Sequence, residues 1–229
     1  VMQAFADNPW FRSLAPADAE ALLAASTPVT LAQGALLFCQ DDPFDAPFGA
    51  FFGAVSGRIK LSILHPAGKE VILAVVEPGN WFGAGPVLDH RPRAHTATAL
   101  SDVELRAVSA ARFDELMHSN GFARAIARQV AQRLRMAYGT MGDSALLSTQ
   151  ERIMRRLRAL AHGDMTLSAD GRSTVSASQD TLAMMLGISR PTLNKELQAL
   201  ARRGLISLRY GEIELHEAAR QRKPRPARP

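Results

Sequence analysis

The period of the hydrophobic pattern changes along this chain, and the changes divide it. Phe11, Leu14, Ala19, Leu22 and Leu23 recur at helical spacing with Pro16 near a helix start, which predicts a helix over 11–26. Between about 27 and 108 the texture shifts to short apolar or alternating runs at 28–31, 35–39, 48–55, 58–64, 71–76, 95–100 and 104–108. Gly34, Asp41-Asp42-Pro43, Ser56-Gly57, Pro66-Ala67-Gly68 and Pro78-Gly79 break them. Strands spaced this regularly predict a β-sandwich or small closed barrel rather than α/β units. From about 122 to 143 the helical period returns: Phe122, Ile126, Val130 and Leu134, then Ala137-Tyr138 and Met141, with Arg124, Arg128, Gln132 and Arg135 opposite. So long a stripe predicts a helix that pairs with a second copy through Phe122, Ile126, Val130 and Leu134, or one that packs on its own barrel. Gly139 and Gly142 lower helix propensity near its end by about 1 kcal/mol each, a hinge or a frayed end.

The last third carries a denser signal. Ser148-Thr149-Gln150-Glu151 reads as a capping box. Behind it Ile153, Leu157 and Leu160 face inward and Gly163 ends the helix. Arg152, Arg155, Arg156 and Arg158 form either a solvated or a phosphate-contacting face. Ser178 is then an N-cap for a short helix with Leu182, Met185 and Leu186 on one side and Ala183 where a neighbour must approach. Gly187 supplies a sharp turn, and Ser189 caps a second helix with Pro191 in its first turn. Leu193, Leu197 and Leu200 recur at i, i+4 and i+7, leaving Arg190, Asn194, Lys195 and Gln198 outward. Buried leucines on one side and base-reaching donors on the other describe a helix-turn-helix recognition element. Ile206 and Leu208, then Ile213 and Leu215, alternate on either side of Arg209-Tyr210-Gly211 and predict a hairpin wing. The candidate DNA-contacting set is Ser178, Gln179, Ser189, Arg190, Thr192, Asn194, Lys195, Gln198, Arg202 and Arg203. A plain αα-hairpin is the simpler alternative.

Charge favours DNA. Residues 148–229 hold 15 Lys/Arg against 8 Asp/Glu, whereas residues 1–147 hold 12 against 14. The formal +5 of the 229-residue chain is thus concentrated where counterions on a phosphate backbone would be displaced. The basic, proline-rich end 221–229 is expected to be disordered. The length allows two domains, and no apolar run or leader pattern points to a membrane, so a cytoplasmic protein is expected. A single cysteine, Cys39, argues against an intramolecular disulfide and against an iron–sulfur cluster held by one chain. No catalytic-triad, paired-carboxylate, metal-ligand or P-loop spacing is present, which argues against an enzyme.

In the barrel region, Phe38-x-Gln40-x-Asp42-Pro43, Ser56-Gly57-Arg58-Ile59-Lys60-Leu61, Gly68-Lys69-Glu70, Pro78-Gly79 and Phe82-Gly83 follow the spacing of the cyclic-nucleotide-binding jelly roll. With the winged helix behind it, the chain resembles the Crp/Fnr family of bacterial transcription regulators over roughly residues 10–217. The resemblance implies an α+β architecture: an effector-sensing jelly-roll barrel (10–120), a dimerisation helix (121–145), a winged helix-turn-helix (146–217) and a tail (218–229). It implies a homodimer on a palindromic site in double-stranded DNA, with a small-molecule effector and, for an activator, RNA polymerase as partners. A sensor whose winged helix contacts protein instead is the alternative.

The effector cassette departs from the family's cyclic-AMP pattern. There, Phe-Gly-Glu offers an acceptor to the ribose, and Arg-Ser holds the phosphate. Here Gly83 is followed by Ala84, and Arg93 by Ala94 and His95, while the adenine-contacting pair aligns with Tyr138 and Gly139. One exposed arginine, Arg93, is the expected remnant, which argues against a cyclic nucleotide and leaves the effector unknown. Gly83, Ala84, Arg93, Ala94, His95 and Tyr138 are the candidate effector positions. The family's haem branch uses a histidine ligand, but His90 and His95 as isolated histidines are expected to be structural or solvated, and Cys39 a buried small hydrophobe.

Overall fold

The computed structural model describes residues 1–45, 49, 51–163 and 172–216. Helices α1 (Met2–Phe5), α2 (Pro9–Arg12) and α3 (Pro16–Ala24) open the chain. Strands β1 (Ser26–Leu31), β2 (Leu36–Phe38), β3 (Phe51–Ser56), β4 (Ile59–Leu64), β5 (Glu70–Val76) and β6 (Trp81–Phe82) follow. Then come α4 (Ala84–Asp89), β7 (Thr96–Ala99), β8 (Val103–Val108), α5 (Ala110–Met117) and α6 (Asn120–Leu146). The remainder is α7 (Thr149–Ala161), β9 (Thr174–Val175), α8 (Gln179–Leu186), α9 (Arg190–Arg202), β10 (Ile206–Arg209) and β11 (Glu212–Leu215). The chain divides into two units, the first Val1–Met141 and the second Gly142–Gly163 with 172–216, so the division falls inside α6.

The first unit is a two-sheet antiparallel barrel, with strand orders β1-β8-β3-β6 and β2-β7-β4-β5. Leu37, Phe52, Ile59, Val76, Phe82, Ala97 and Leu105 fill the space between the sheets. The side-chain period of two explains why β3 and β6 read as unbroken apolar runs, because both faces are covered. Phe52 and Phe82 point between the sheets, while their neighbours Phe51 and Trp81 point outward into a second cluster with Phe5, Phe11, Leu22, Phe113, Phe122 and Ile126. That cluster is the seat of α1, α2, α3, α5 and the start of α6.

The helix expected over 11–26 is broken. Ala15 is extended, at ψ 146°, before Pro16 opens α3, because the residue preceding a proline is pushed out of the helical region. Residue 26 already belongs to β1. The two-residue strands β6 and β9 and the helices α1, α4 and α5 are additions to the expected elements. The start of the 48–55 run and the basic end 221–229 lie outside the described residues.

The long helix requires a larger correction. Phe122 and Ile126 are 0% and 1% exposed, packed with Phe113 and Leu22 in the first unit's own cluster, and Val130 leans on the same cluster. Phe122 and Ile126 therefore offer nothing to a second copy. Leu134, Tyr138 and Met141 are instead 50%, 62% and 68% exposed. Ala127, Leu134, Tyr138, Met141 and Ala145 are exposed and Ala131 half-buried, a 4-3-4-3-4 spacing on one face that is the a/d pattern of a coiled-coil seam.

The second unit is a three-helix core with a sheet of order β10-β11-β9. Ile153, Leu157, Leu182, Leu193, Leu197, Leu200, Ile206 and Leu215 form its interior.

Candidate nucleic-acid interface and effector cassette

Local chemistry builds the α8–α9 turn. The Ser178 hydroxyl accepts from Thr181 N at 3.0 Å, and the Ser189 hydroxyl accepts from Thr192 N at 3.2 Å, so each helix start is capped by its own serine. Gly187 closes α8 at φ 64°, a left-handed conformation that only glycine adopts without penalty. Leu193, Leu197 and Leu200 are at most 1% exposed. The opposite side of α9 exposes Arg190, Asn194, Lys195, Gln198 and Arg202. Thr192 is exposed and Gln179 half-buried; the hydroxyls of Ser178, Ser189 and Thr192 are already engaged in capping.

Several arginines that the sequence leaves between solvent and phosphate have internal partners. Arg152 Nη2 donates to Leu186 O at 2.6 Å, closing the carbonyl end of α8, and Arg156 Nε points at Met185 Sδ at 3.3 Å. Arg155 pairs with Asp143. Arg203 Nη1 donates to Gln150 Oε1 and Gln150 Nε2 to Glu196 Oε2, both at 2.8 Å, so Arg203 braces α9 against α7. Arg190 lies 3.4 Å from Asp180. The wing is present as β10 and β11, with a fully exposed Tyr210 at its tip.

In the first unit, Gly83 sits at φ 95° and lets the chain turn from β6 into α4. Ala84 is fully buried in the outer apolar cluster, and Ala94 is exposed. Arg93 is not the exposed remnant expected. It is 1% exposed, its guanidinium lies 4.2 Å from the Phe38 ring centroid and 5.5 Å from that of Phe52, and Nη2 donates to Gly49 O at 2.8 Å. Backbone bonds from Asp41 N to Arg93 O (2.8 Å) and from Arg93 N to Asp42 O (2.9 Å) hold the segment in place. Burial, opposed by Asp45 and Asp42, lowers the Arg93 pKa to about 10. His95 also packs on Phe38, with ring centroids 5.8 Å apart. Burial, and then the charges of Arg93 and Arg133, push its pKa down to about 4, so it is neutral at pH 7. Tyr138 lies on the exposed stripe and joins neither barrel cluster.

Gln129 and Arg133 were missed. Both donate to Trp81 O, at 3.2 Å and 2.6 Å, and so tie α6 to the residue that precedes Phe82-Gly83. Gln129 Oε1 and His95 Nε2 are buried without a hydrogen-bond partner among the described residues. The available signal was spacing: Gln129 and Arg133 fall three and seven residues after Ile126, which places polar groups on the apolar side of the helix. Among the described residues no group of three His, Cys, Asp or Glu is placed to hold a metal ion, and no helix is long and apolar enough to cross a membrane.

Known proteins share this arrangement. Residues 28–120 match the family model of the cyclic nucleotide-binding domain, and residues 151–220 that of the Crp-like helix-turn-helix domain. The chain is 31% identical to the cyclic AMP receptor protein of Thermus thermophilus over 214 residues, covering 93% of this chain and 94% of that one. It is 28% identical over 215 residues to the CRP-like cAMP-activated global transcriptional regulator of Mycobacterium tuberculosis, covering 92% and 93%. The fold of the c-di-GMP-responsive regulator CLP of Xanthomonas campestris superposes with a TM-score of 0.71 at 22% identity, covering 88% of this chain and 99% of that one. Barrel, long helix and winged helix together define an effector-sensing, DNA-binding transcription regulator. The chain belongs to the Crp/Fnr family. Its helix-turn-helix binds DNA, which decides against the alternative of a wing used for protein contacts.

Proposed function

We propose that the protein acts as a homodimer on a two-half-site duplex, reads bases through α9, and answers an effector other than cyclic AMP. The observation that carries the DNA reading is the outward face of α9, where Arg190, Asn194, Lys195 and Gln198 are exposed opposite three buried leucines. Half-sites one helical turn apart, roughly 34 Å, suit a symmetric dimer. Arg190 is assigned to guanine, since a guanidinium matches O6 and N7 bidentately. Arg202 and the wing are assigned to phosphates. Selection of bound sequences from random duplex DNA tests this. Arg190→Ala will cost about 1–3 kcal/mol and relax the preference at one position per half-site. An equal loss on every sequence will make Arg190 a phosphate contact instead.

Three features support an effector other than cyclic AMP, although relatives at 28–31% identity carry that ligand in their names. Ala84 has no acceptor for a ribose hydroxyl and is buried among apolar side chains. Ala94 has no hydroxyl for a phosphate. The Arg93 guanidinium lies against the Phe38 and Phe52 rings and donates to the Gly49 carbonyl, so a phosphate competes with a hydrogen bond from a charged donor that contributes about 1.5–3 kcal/mol. Micromolar affinity requires roughly 8 kcal/mol, and each unmade polar contact removes about 1–3 kcal/mol. Titration calorimetry with cyclic AMP and cyclic GMP will show no binding below about millimolar concentration. A micromolar isotherm that disappears in Arg93→Ala will restore the cyclic-nucleotide reading.

A further inference from the structure

We infer that Asp180 is a positioning residue for Arg190, restricting how far its guanidinium can swing from a guanine; this rests on the base-reading role of Arg190 proposed above. Asp180 Oδ2 lies 3.4 Å from Arg190 Nη1, across the turn between α8 and α9. Helices α8 and α9 carry two acids, Asp180 and Glu196. Glu196 accepts from Gln150 and is half-buried, which leaves Asp180 as the carboxylate beside the DNA-facing donors. A negative charge there opposes phosphate, so it must serve something besides attraction to DNA. Its place in the first turn of α8 favours that helix through the dipole, yet this does not account for a partner on the other helix.

The pairing has a stereochemical use. A guanidinium has five N–H donors in one plane, of which guanine takes two. A carboxylate held against Nη1 restricts how far the guanidinium can swing and leaves Nε and Nη2 for the base. The neighbouring residue on α9 is Pro191, which has neither an N–H nor a polar side chain to do the same. In the free protein the pair is exposed, at 58% and 65%, and contributes little. Against a duplex, water is excluded and the constraint strengthens. On unrelated sequence the same carboxylate restrains Arg190 from swinging to a phosphate and repels that phosphate. Asp180 thus favours the guanine contact over the backbone contact.

The full-length protein is titrated by fluorescence anisotropy against three duplexes. One is selected by the wild type from a random library, the second has the Arg190-read guanine replaced, and the third is unrelated in sequence. Asp180→Asn will reduce discrimination between the first two about tenfold, a fraction of the range for a bidentate base contact, while binding to the unrelated duplex tightens. Asp180→Glu will keep most of the discrimination, and Asp180→Asn will remove none in an Arg190→Ala background. If Arg190→Ala alters no base preference, the base-reading proposal fails. If it does, and Asp180→Asn shifts all three affinities by one factor, Asp180 is a general electrostatic group and this inference is overturned on its own.

Discussion

Leu134→Lys will convert the protein to a monomer in light scattering and weaken binding to a two-half-site duplex by about 10²–10⁴-fold, the avidity of a linked second site. The loss follows from the exposed face of α6. Leu134, Tyr138 and Met141 are each at least half exposed in the single chain and stand at heptad spacing with Ala127, Ala131 and Ala145. Full burial of a leucine or methionine side chain contributes about 1.5–3 kcal/mol. A two-fold seam uses each residue on both copies, so one lysine introduces two facing charges. Val130→Lys behaves differently, because Val130 leans on the first unit's own cluster. It will lower that unit's stability before it changes mass. A Leu134→Lys protein that stays dimeric will move the interface off this face.

Leu197→Ala will unfold the helix-turn-helix unit at temperatures where the wild type binds DNA. Leu197 is 0% exposed, in one cluster with Ile153, Leu157 and Ile206, and a buried leucine truncated to alanine costs about 2–5 kcal/mol. A single core in a domain of about 70–80 residues supplies only about 3–5 kcal/mol. Calorimetry will show one transition lowered and the other, from the barrel, in place. Arg190→Ala, by contrast, leaves both transitions unmoved while changing base preference. A Leu197→Ala protein with wild-type melting and binding will show that the cluster tolerates the cavity.

The helix-turn-helix was legible because its determinants are local: two capping serines, Gly187 and three leucines at helical spacing act within a few residues of one another. The barrel was legible at the level of runs, since apolar strands between glycine and proline breakers survive without knowledge of their partners. What failed was tertiary. The stripe of α6 names a sticky face but not what sticks to it, so Phe122 and Ile126 were assigned to a second copy when their own barrel covers them. Arg93 carried no sign that Phe38 and Phe52, residues far away in the chain, would enclose it. The destinations of Arg152, Arg156 and Arg203 were equally hidden, because a carbonyl end or a glutamine on a neighbouring helix leaves no local mark.

The carbonyl of Trp81, gripped by Gln129 and Arg133 one helical turn apart, sets a ceiling on signalling by that route. A neutral hydrogen bond contributes about 0.5–1.5 kcal/mol and one from a charged donor about 1.5–3 kcal/mol. A rearrangement of the cassette that reaches α6 through this joint alone therefore cannot bias the helix by more than about 2–4.5 kcal/mol. That amounts to a gain of roughly 30- to 1,600-fold, at about 1.4 kcal/mol per decade, a span that overlaps the range of ordinary allosteric couplings. The joint is a finite-gain coupling: whatever reaches α6 through these two bonds is capped by what they are worth.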